Sequence, residues 1–186
     1  MRVLMPLPVL QRRLSQQYSQ IGLQYGFTPL SRHLRERALP GHAKQAGERV
    51  PEVEVACSEE PNLRLYTLLR AAAYTLLVIV SPLHSRRERA HLVDLAKKIQ
   101  HRFQKGVRTY VVMEEGLPDT DIDLPVLVDI KRQVRTRLGA THGSILLLRP
   151  DGYLAFHTRT QSEKQILSLC QPWLSLPGES AEDSSM

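Results

Sequence analysis

Residues 74–80, from Tyr74 through Leu76, Leu77, Val78 and Ile79 to Val80, form an apolar run closed by Ser81 and Pro82. A strand with one wet face alternates. A run without alternation is buried on both faces, as in sheets covered by helices on each side. A second run of this kind spans residues 109–113. Between the two, residues 88–103 carry a helical pattern. Leu92, Leu95, Ala96, Ile99 and Phe103 mark one face, Arg87, Lys97, Lys98 and Arg102 fall elsewhere, and Gly106 stops the helix. Strand, helix and strand in this order make a right-handed crossover with parallel strands.

The flanking segments complete the pattern. Residues 50–55 alternate weakly and read as a short edge strand, and residues 63–70 read as a short helix with Leu65, Leu68 and Leu69 inward. Residues 125–129 are a third strand, and residues 132–138 a short helix ended by Gly139. Residues 143–149 and 153–157 flank Pro150-Asp151-Gly152, whose proline and glycine fit a tight turn, so they form a hairpin. Ser162 is a suitable N-cap for a last helix with Ile166, Leu169, Cys170 and Trp173 inward. The expected fold class is α/β: a thioredoxin-like mixed sheet flanked by helices, preceded by an N-terminal amphipathic helix. The chain divides into a basic helical segment (1–40), the thioredoxin-like domain (41–176) and an acidic, polar tail (177–186) expected to be disordered.

Charge separates the segments further. Residues 1–50 hold eight lysines and arginines against Glu36 and Glu48, while residues 51–186 hold seventeen of each sign. The net +6 therefore belongs to the N-terminal segment and not to the body. A basic cluster over 86–108 and an acidic one over 114–129 read as solvated faces. Nucleic-acid readers interleave aromatic residues with such clusters, but here the nearby Phe103 and Tyr110 read as core, so no nucleic-acid partner is expected. The longest apolar runs fall far short of the roughly 20 residues that span a bilayer, so no membrane is expected either. The first residues are interrupted by Pro6 and Pro8 and followed by Arg12 and Arg13, a poor secretion signal, and the expected location is cytoplasmic with reduced thiols.

Candidate chemistry is sparse. A thioredoxin-like reading places a Cys-x-x-Cys pair at the start of the helix after residues 74–80, where a thiolate is stabilised and a resolving thiol waits. Ser81-Pro82-Leu83-His84 stands there instead. Cys57 falls in a loop or strand end and Cys170 on the inward face of the last helix. No Pro-x-x-x-Thr-x-x-Cys pattern surrounds Cys57. His84, His91 and His101 lie on or near one helix without stacking on one face, while His142 and His157 flank the hairpin, within reach of each other. Asp119, Asp121 and Asp123 start like a calcium loop, but Leu124 and Ile130 occupy positions six and twelve, so they read as an acidic surface turn. No catalytic, cofactor-binding or metal-binding residue is assigned.

Four segments resemble a known family. Gly143-Ser144-Ile145-Leu146-Leu147-Leu148-Arg149-Pro150-Asp151-Gly152-Tyr153-Leu154-Ala155-Phe156 is similar to the hairpin near the C-terminus of FAD-dependent aromatic-ring monooxygenases, the class A flavin hydroxylases. Ala46-Gly47-Glu48-Arg49-Val50-Pro51 resembles the start of their C-terminal thioredoxin-like domain. Leu65 to Leu69 and Tyr74 to Leu77 resemble the helix and strand that follow. Leu14 to Tyr25 resembles the helix that closes their flavin domain. The resemblance covers most of residues 10–175 in order, and it implies FAD and NAD(P)H for intact relatives. This chain lacks their Gly-x-Gly-x-x-Gly turn, so neither cofactor is expected in it. The resemblance implies a non-catalytic, structural or subunit-contact portion of such an enzyme, partnered through the helix of residues 1–25 by a second copy or a separate flavin subunit. The alternative is a thiol-dependent oxidoreductase or peroxidase that uses Cys57.

Overall fold

A computed structural model of the chain describes residues 41–104, 106–114, 122–159 and 162–174. The helix expected within residues 1–40, the tail 177–186, Asp119 and Asp121 lie outside these residues. The described elements are β1 (Glu54–Val55), β2 (Leu63–Arg64), α1 (Leu65–Leu69), β3 (Tyr74–Val80), α2 (Arg86–Arg102), β4 (Val107–Met113), β5 (Val126–Val128), α3 (Gln133–Leu138), β6 (Ser144–Leu148), β7 (Leu154–Arg159) and α4 (Glu163–Leu174).

Five strands make one mixed sheet in the order β5-β4-β3-β6-β7. β3 pairs in parallel with β4, with Leu76 opposite Thr109 and Val80 opposite Met113. β5 adds to β4 in parallel. β6 runs antiparallel to β3, and β7 returns antiparallel to β6. The expected α/β fold with its parallel crossover and antiparallel hairpin is present.

Alternation along β3 and β6 divides the core in two. Leu76, Val78, Val80, Ile145 and Leu147 pack with Leu92, Leu95, Ile99, Ile166 and Cys170 of α2 and α4. Leu77, Ile79, Leu146 and Leu148 pack on the other face with Val134 and Leu138 of α3, Leu65 and Leu69 of α1 and the β1–β2 ribbon. Burying each such side chain contributes about 1.5–3 kcal/mol. β3 has no alternation because both its faces are covered, whereas β4 exposes Arg108 between buried Val107 and Thr109.

Three expected boundaries shift. The edge strand of residues 50–55 shrinks to β1, which pairs with β2 (Val55 opposite Leu63) and touches the main sheet through a bridge from Ala56 to Val128. The first turn of the expected helix 63–70 is drawn into that ribbon, and the Leu65 amide donates to the Val53 carbonyl at 2.9 Å. α2 begins two residues early, because Ser85 caps it. The Ser85 hydroxyl accepts from the Glu88 amide, and the Glu88 carboxylate accepts from the Ser85 amide at 2.7 Å.

Gly139 ends α3 with φ +68°, and a Cβ there would stand 2.3 Å from Ala43 Cα. Only glycine lets the 41–50 segment pass so close. That segment is also tied by His157. Its Nδ1 lies 2.9 Å from the Lys44 carbonyl and its Nε2 3.2 Å from Ser144 Oγ, which accepts from the Thr141 amide. A carbonyl only accepts, so Nδ1 carries the proton and Ser144 donates to Nε2.

Candidate functional site

The parallel strands bring several chain ends to one edge. There β3 ends at Val80, just before Ser81, β6 begins after His142 and Gly143, and β7 ends at Arg159, which stands opposite Ser144. Ligands of open α/β sheets gather outside the carboxyl ends of such strands. In this structure the edge carries a groove of about 1000 Å³, lined by Leu83, His84, Arg87, Glu88, His91, Leu92, His142 and Arg159, with Ser85 at the helix start.

The segment Ser81-Pro82-Leu83-His84 occupies the corner where the redox pair was sought. It is fixed by short-range bonds. The Ser81 amide donates to His84 Nδ1 at 3.2 Å, the Leu83 amide donates to Ser81 Oγ at 3.2 Å, and Arg89 Nη1 donates to the His84 carbonyl at 2.9 Å. Nδ1 accepts, so the His84 proton sits on Nε2. Burial holds the His84 pKa below the ordinary imidazole value. Glu88 opposes that shift, and His142, Arg89 and Arg159 reinforce it.

His142 faces His84 edge-on, with ring centroids 6.1 Å apart at 82°. His157, expected within reach of His142, is tied to other groups. β7 turns His157 inward, where it is 2% exposed and engaged with Lys44 and Ser144. His84 and His91 line one groove, while His101 stands at the far end of α2 beside Lys97 and Arg102. Asp123 pairs with Lys97 at 2.7 Å, which accounts for its place in the acidic turn. Among the described residues no group of three or more histidines, cysteines or carboxylates is placed to hold a metal ion. No described helix is long and apolar enough to cross a membrane.

The two thiols differ sharply. Cys170 is fully buried, and burial pushes its thiol up to about 12. Cys57 is partly exposed, just beyond the Ala56–Val128 bridge, and its amide donates to the Glu60 carbonyl at 2.9 Å. It packs at the margin of the cluster that holds Leu77 and Leu127, outside the groove.

One buried acid at the same sheet edge was invisible in the sequence. Asp129 accepts from the Gln133 amide at 2.7 Å and the Arg135 amide at 3.2 Å, satisfying the start of α3. Its pKa is raised, because burial outweighs those bonds and Glu114 adds a like charge. Its role is to cap a short helix.

No protein-family model matches the chain, and no curated protein matches it. Solved structures do. A thiol:disulfide interchange protein from Bacteroides sp. is 12% identical with a TM-score of 0.58, over 76% of this chain and 97% of that one. The thioredoxin domain of a thiol-disulfide oxidoreductase from Bacteroides vulgatus is 13% identical with a TM-score of 0.56, over 72% of this chain and 100% of that one. A thiol peroxidase from Chromobacterium violaceum is 15% identical with a TM-score of 0.51, over 72% and 90%. Aklavinone-11 hydroxylase with FAD is matched at 26% identity over 69% of this chain but only 21% of that one, and its TM-score of 0.49 carries no argument.

These likenesses correct the expectation of a non-catalytic portion of a flavin hydroxylase. The neighbours that match nearly end to end are named for thiol chemistry and not for flavin hydroxylation. The chain has a thioredoxin-like fold.

Proposed function

We propose that the chain is a thiol-dependent oxidoreductase that works with one cysteine, Cys57. The observation that carries this reading is the contrast between the two thiols: Cys57 is partly exposed and Cys170 is sealed. The thiolate is the reactive form, and a buried thiol held at about 12 does not supply it near neutrality. The thiol chemistry named for the structural neighbours supports the same reading.

A peroxide reacts as follows. The Cys57 sulfur attacks one peroxide oxygen, an S–O bond forms as the O–O bond breaks, and the departing oxygen takes a proton to leave as water or alcohol. Cys57 is left as sulfenic acid. An external thiol condenses with it and releases water, and a second external thiol takes over the mixed disulfide, restoring Cys57 and carrying away the two-electron oxidised disulfide. A disulfide substrate enters at the second stage, by attack of the thiolate on sulfur. Cys170 takes no part, because it lies across the sheet.

The reading locates the protein in a reducing, cytoplasmic setting that supplies the external thiol. The partner expected through residues 1–25, a second copy or a separate subunit, belongs to the same proposal, and sedimentation of the full chain tests it. The finer kinship to the C-terminal domain of flavin hydroxylases rests on the motifs quoted above and assigns no flavin chemistry to this chain.

The test is consumption of dithiothreitol under hydrogen peroxide or cystine by the full chain, Cys170→Ala and Cys57→Ser. The first two are expected to turn over and the third to be silent. Equal rates in all three, or a Cys57 no faster than free cysteine, overturn the reading.

A further inference from the structure

The turn between β3 and α2 is closed from both of its ends. The His84 amide donates to the Ser81 carbonyl at 3.1 Å, and the Ser81 amide donates back to His84 Nδ1 at 3.2 Å. Between them the Leu83 amide donates to Ser81 Oγ at 3.2 Å, and Arg89 Nη1 holds the His84 carbonyl at 2.9 Å. Ser81 is 1% exposed, so its amide depends on a protein acceptor. Leu83 stands exposed at the outer corner of the turn.

The bond at Nδ1 ties this turn to one protonation state. Neutral imidazole with its proton on Nε2 offers a lone pair at Nδ1. Imidazolium carries N–H on both nitrogens and accepts nothing. Protonation of His84 therefore sets two donors against each other, and no rotation of the ring restores an acceptor to the Ser81 amide. His157 escapes this conflict. Its Nε2 faces the Ser144 hydroxyl, which accepts as well as donates.

The surroundings set where the change falls. Among the described residues, the charged and titratable groups that act on the ring are Glu88 and Arg89 of α2, His142 ahead of β6 and Arg159 of β7. Burial, the largest influence, opposes the imidazolium, Glu88 favours it, and His142, Arg89 and Arg159 oppose it, so the closed turn takes up its proton below the ordinary value of 6.5. An opened, wetted ring returns toward that ordinary value. The closed form therefore has its full stability above about pH 6.5 and loses it as pH falls through the depressed value.

We propose that the Ser81–His84 turn is a proton-operated latch, closed around neutral His84 and released from the Ser81 amide when the ring is protonated in mildly acidic solution. Release frees Leu83 and the His84 ring from the lining of the groove at the carboxyl end of β3, so the shape of that groove follows pH. The latch does not involve Cys57, so it stands or falls apart from the thiol reading.

The test follows ring-nitrogen and amide resonances of the full chain from about pH 8 to about pH 5. Exchange of the Ser81 amide is read as protection relative to an unstructured peptide at the same pH. Near pH 7.5 the His84 ring is expected as the Nε2–H tautomer. By about pH 5 the Ser81 amide is expected to lose roughly tenfold in protection, the scale of one hydrogen bond from a buried donor. Resonances of residues 81–85 are expected to move together, with one midpoint below 6.5. The Leu77 amide, inside the sheet, serves as the control. His84→Asn places a carbonyl oxygen close to where Nδ1 stands, an acceptor that does not titrate, and is expected to keep the Ser81 amide protected at both ends of the range. His84→Ala, with folding checked by its melt, is expected to leave that amide unprotected throughout, and His84→Asn carries the test if the alanine variant unfolds. Equal Ser81 protection at both ends in the unaltered chain, a His84 midpoint at or above 6.5, or the same loss in His84→Asn overturns the proposal.

Discussion

Cys57 and Cys170 stand on opposite faces of the five-stranded sheet. Cys170 is enclosed with Leu76, Val78 and Ile166, while Cys57 lies against the cluster of Leu77, Ile79 and Leu127. A disulfide requires Cα atoms within roughly 7 Å, and packed layers are separated by about 10 Å. Mild oxidation of the folded chain is therefore expected to give mixed disulfides or Cys57–Cys57 dimers without an internal bridge. Peptide mapping under non-reducing conditions checks this, and a Cys57–Cys170 peptide from folded protein would contradict it.

Burial of Cys170 gives a signed pH dependence. Its thiol rises from the ordinary 9.0 to about 12. The unfolded chain ionises first, so this contribution is intact below about pH 9 and is lost as pH climbs toward 12. The full loss is roughly 4 kcal/mol, from about 1.4 kcal/mol per pKa unit. Cys170→Ala is expected to be less stable near neutrality by roughly 1 kcal/mol and to show a flatter decline from pH 9 upward. Urea unfolding at pH 7, 9 and 10 measures both, and parallel declines would remove Cys170 as the cause.

The His157 clamp is a stability feature. Removing the ring leaves the Ser144 hydroxyl and the Lys44 carbonyl facing a void. His157→Ala is expected to cost about 2–4 kcal/mol, combining a cavity with unsatisfied polar groups. Hydrogen exchange is expected to accelerate first at Lys44, whose amide donates to the Leu138 carbonyl at 2.9 Å. A loss below about 1 kcal/mol in urea would show that the clamp is dispensable.

Glu59 and Glu60 are exposed acids beside Cys57 in the chain. Negative charge slows the approach of anionic oxidants more than neutral ones, and salt screens the effect. Glu59→Gln with Glu60→Gln is expected to speed reaction with dianionic dithiobis-nitrobenzoate about two- to tenfold at low salt, with little change for hydrogen peroxide. The difference is expected to vanish in 1 M salt. Equal acceleration of both oxidants would point to a change in the loop itself.

Much of the frame was legible because burial on both faces writes itself into β3 and the second half of β4 as apolar runs, and the inward stripe from Leu92 to Ile99 marks α2. Pro150-Asp151-Gly152 placed the β6–β7 hairpin for local reasons. What was hidden depends on distant pairing. Leu63 and Arg64 follow a helical pattern but pair with Val55 and Glu54. Asp129 caps α3 through amides four and six residues on, after Arg132 in a left-handed conformation. The His84–His142 contact joins residues 58 positions apart across β3 and β6, and no spacing rule reaches that far. At the redox corner Ser81-Pro82-Leu83-His84 stands where the fold would admit a cysteine pair, and the expected fold is present without one.

The most direct measurement of the central claim is intact mass and peptide mapping of the full chain after one equivalent of hydrogen peroxide, followed by excess glutathione. The account predicts one glutathione adduct, on Cys57, released by dithiothreitol, with Cys170 unmodified. An unmodified Cys57 under conditions that oxidise free cysteine, or an adduct on Cys170 in the folded chain, would contradict it.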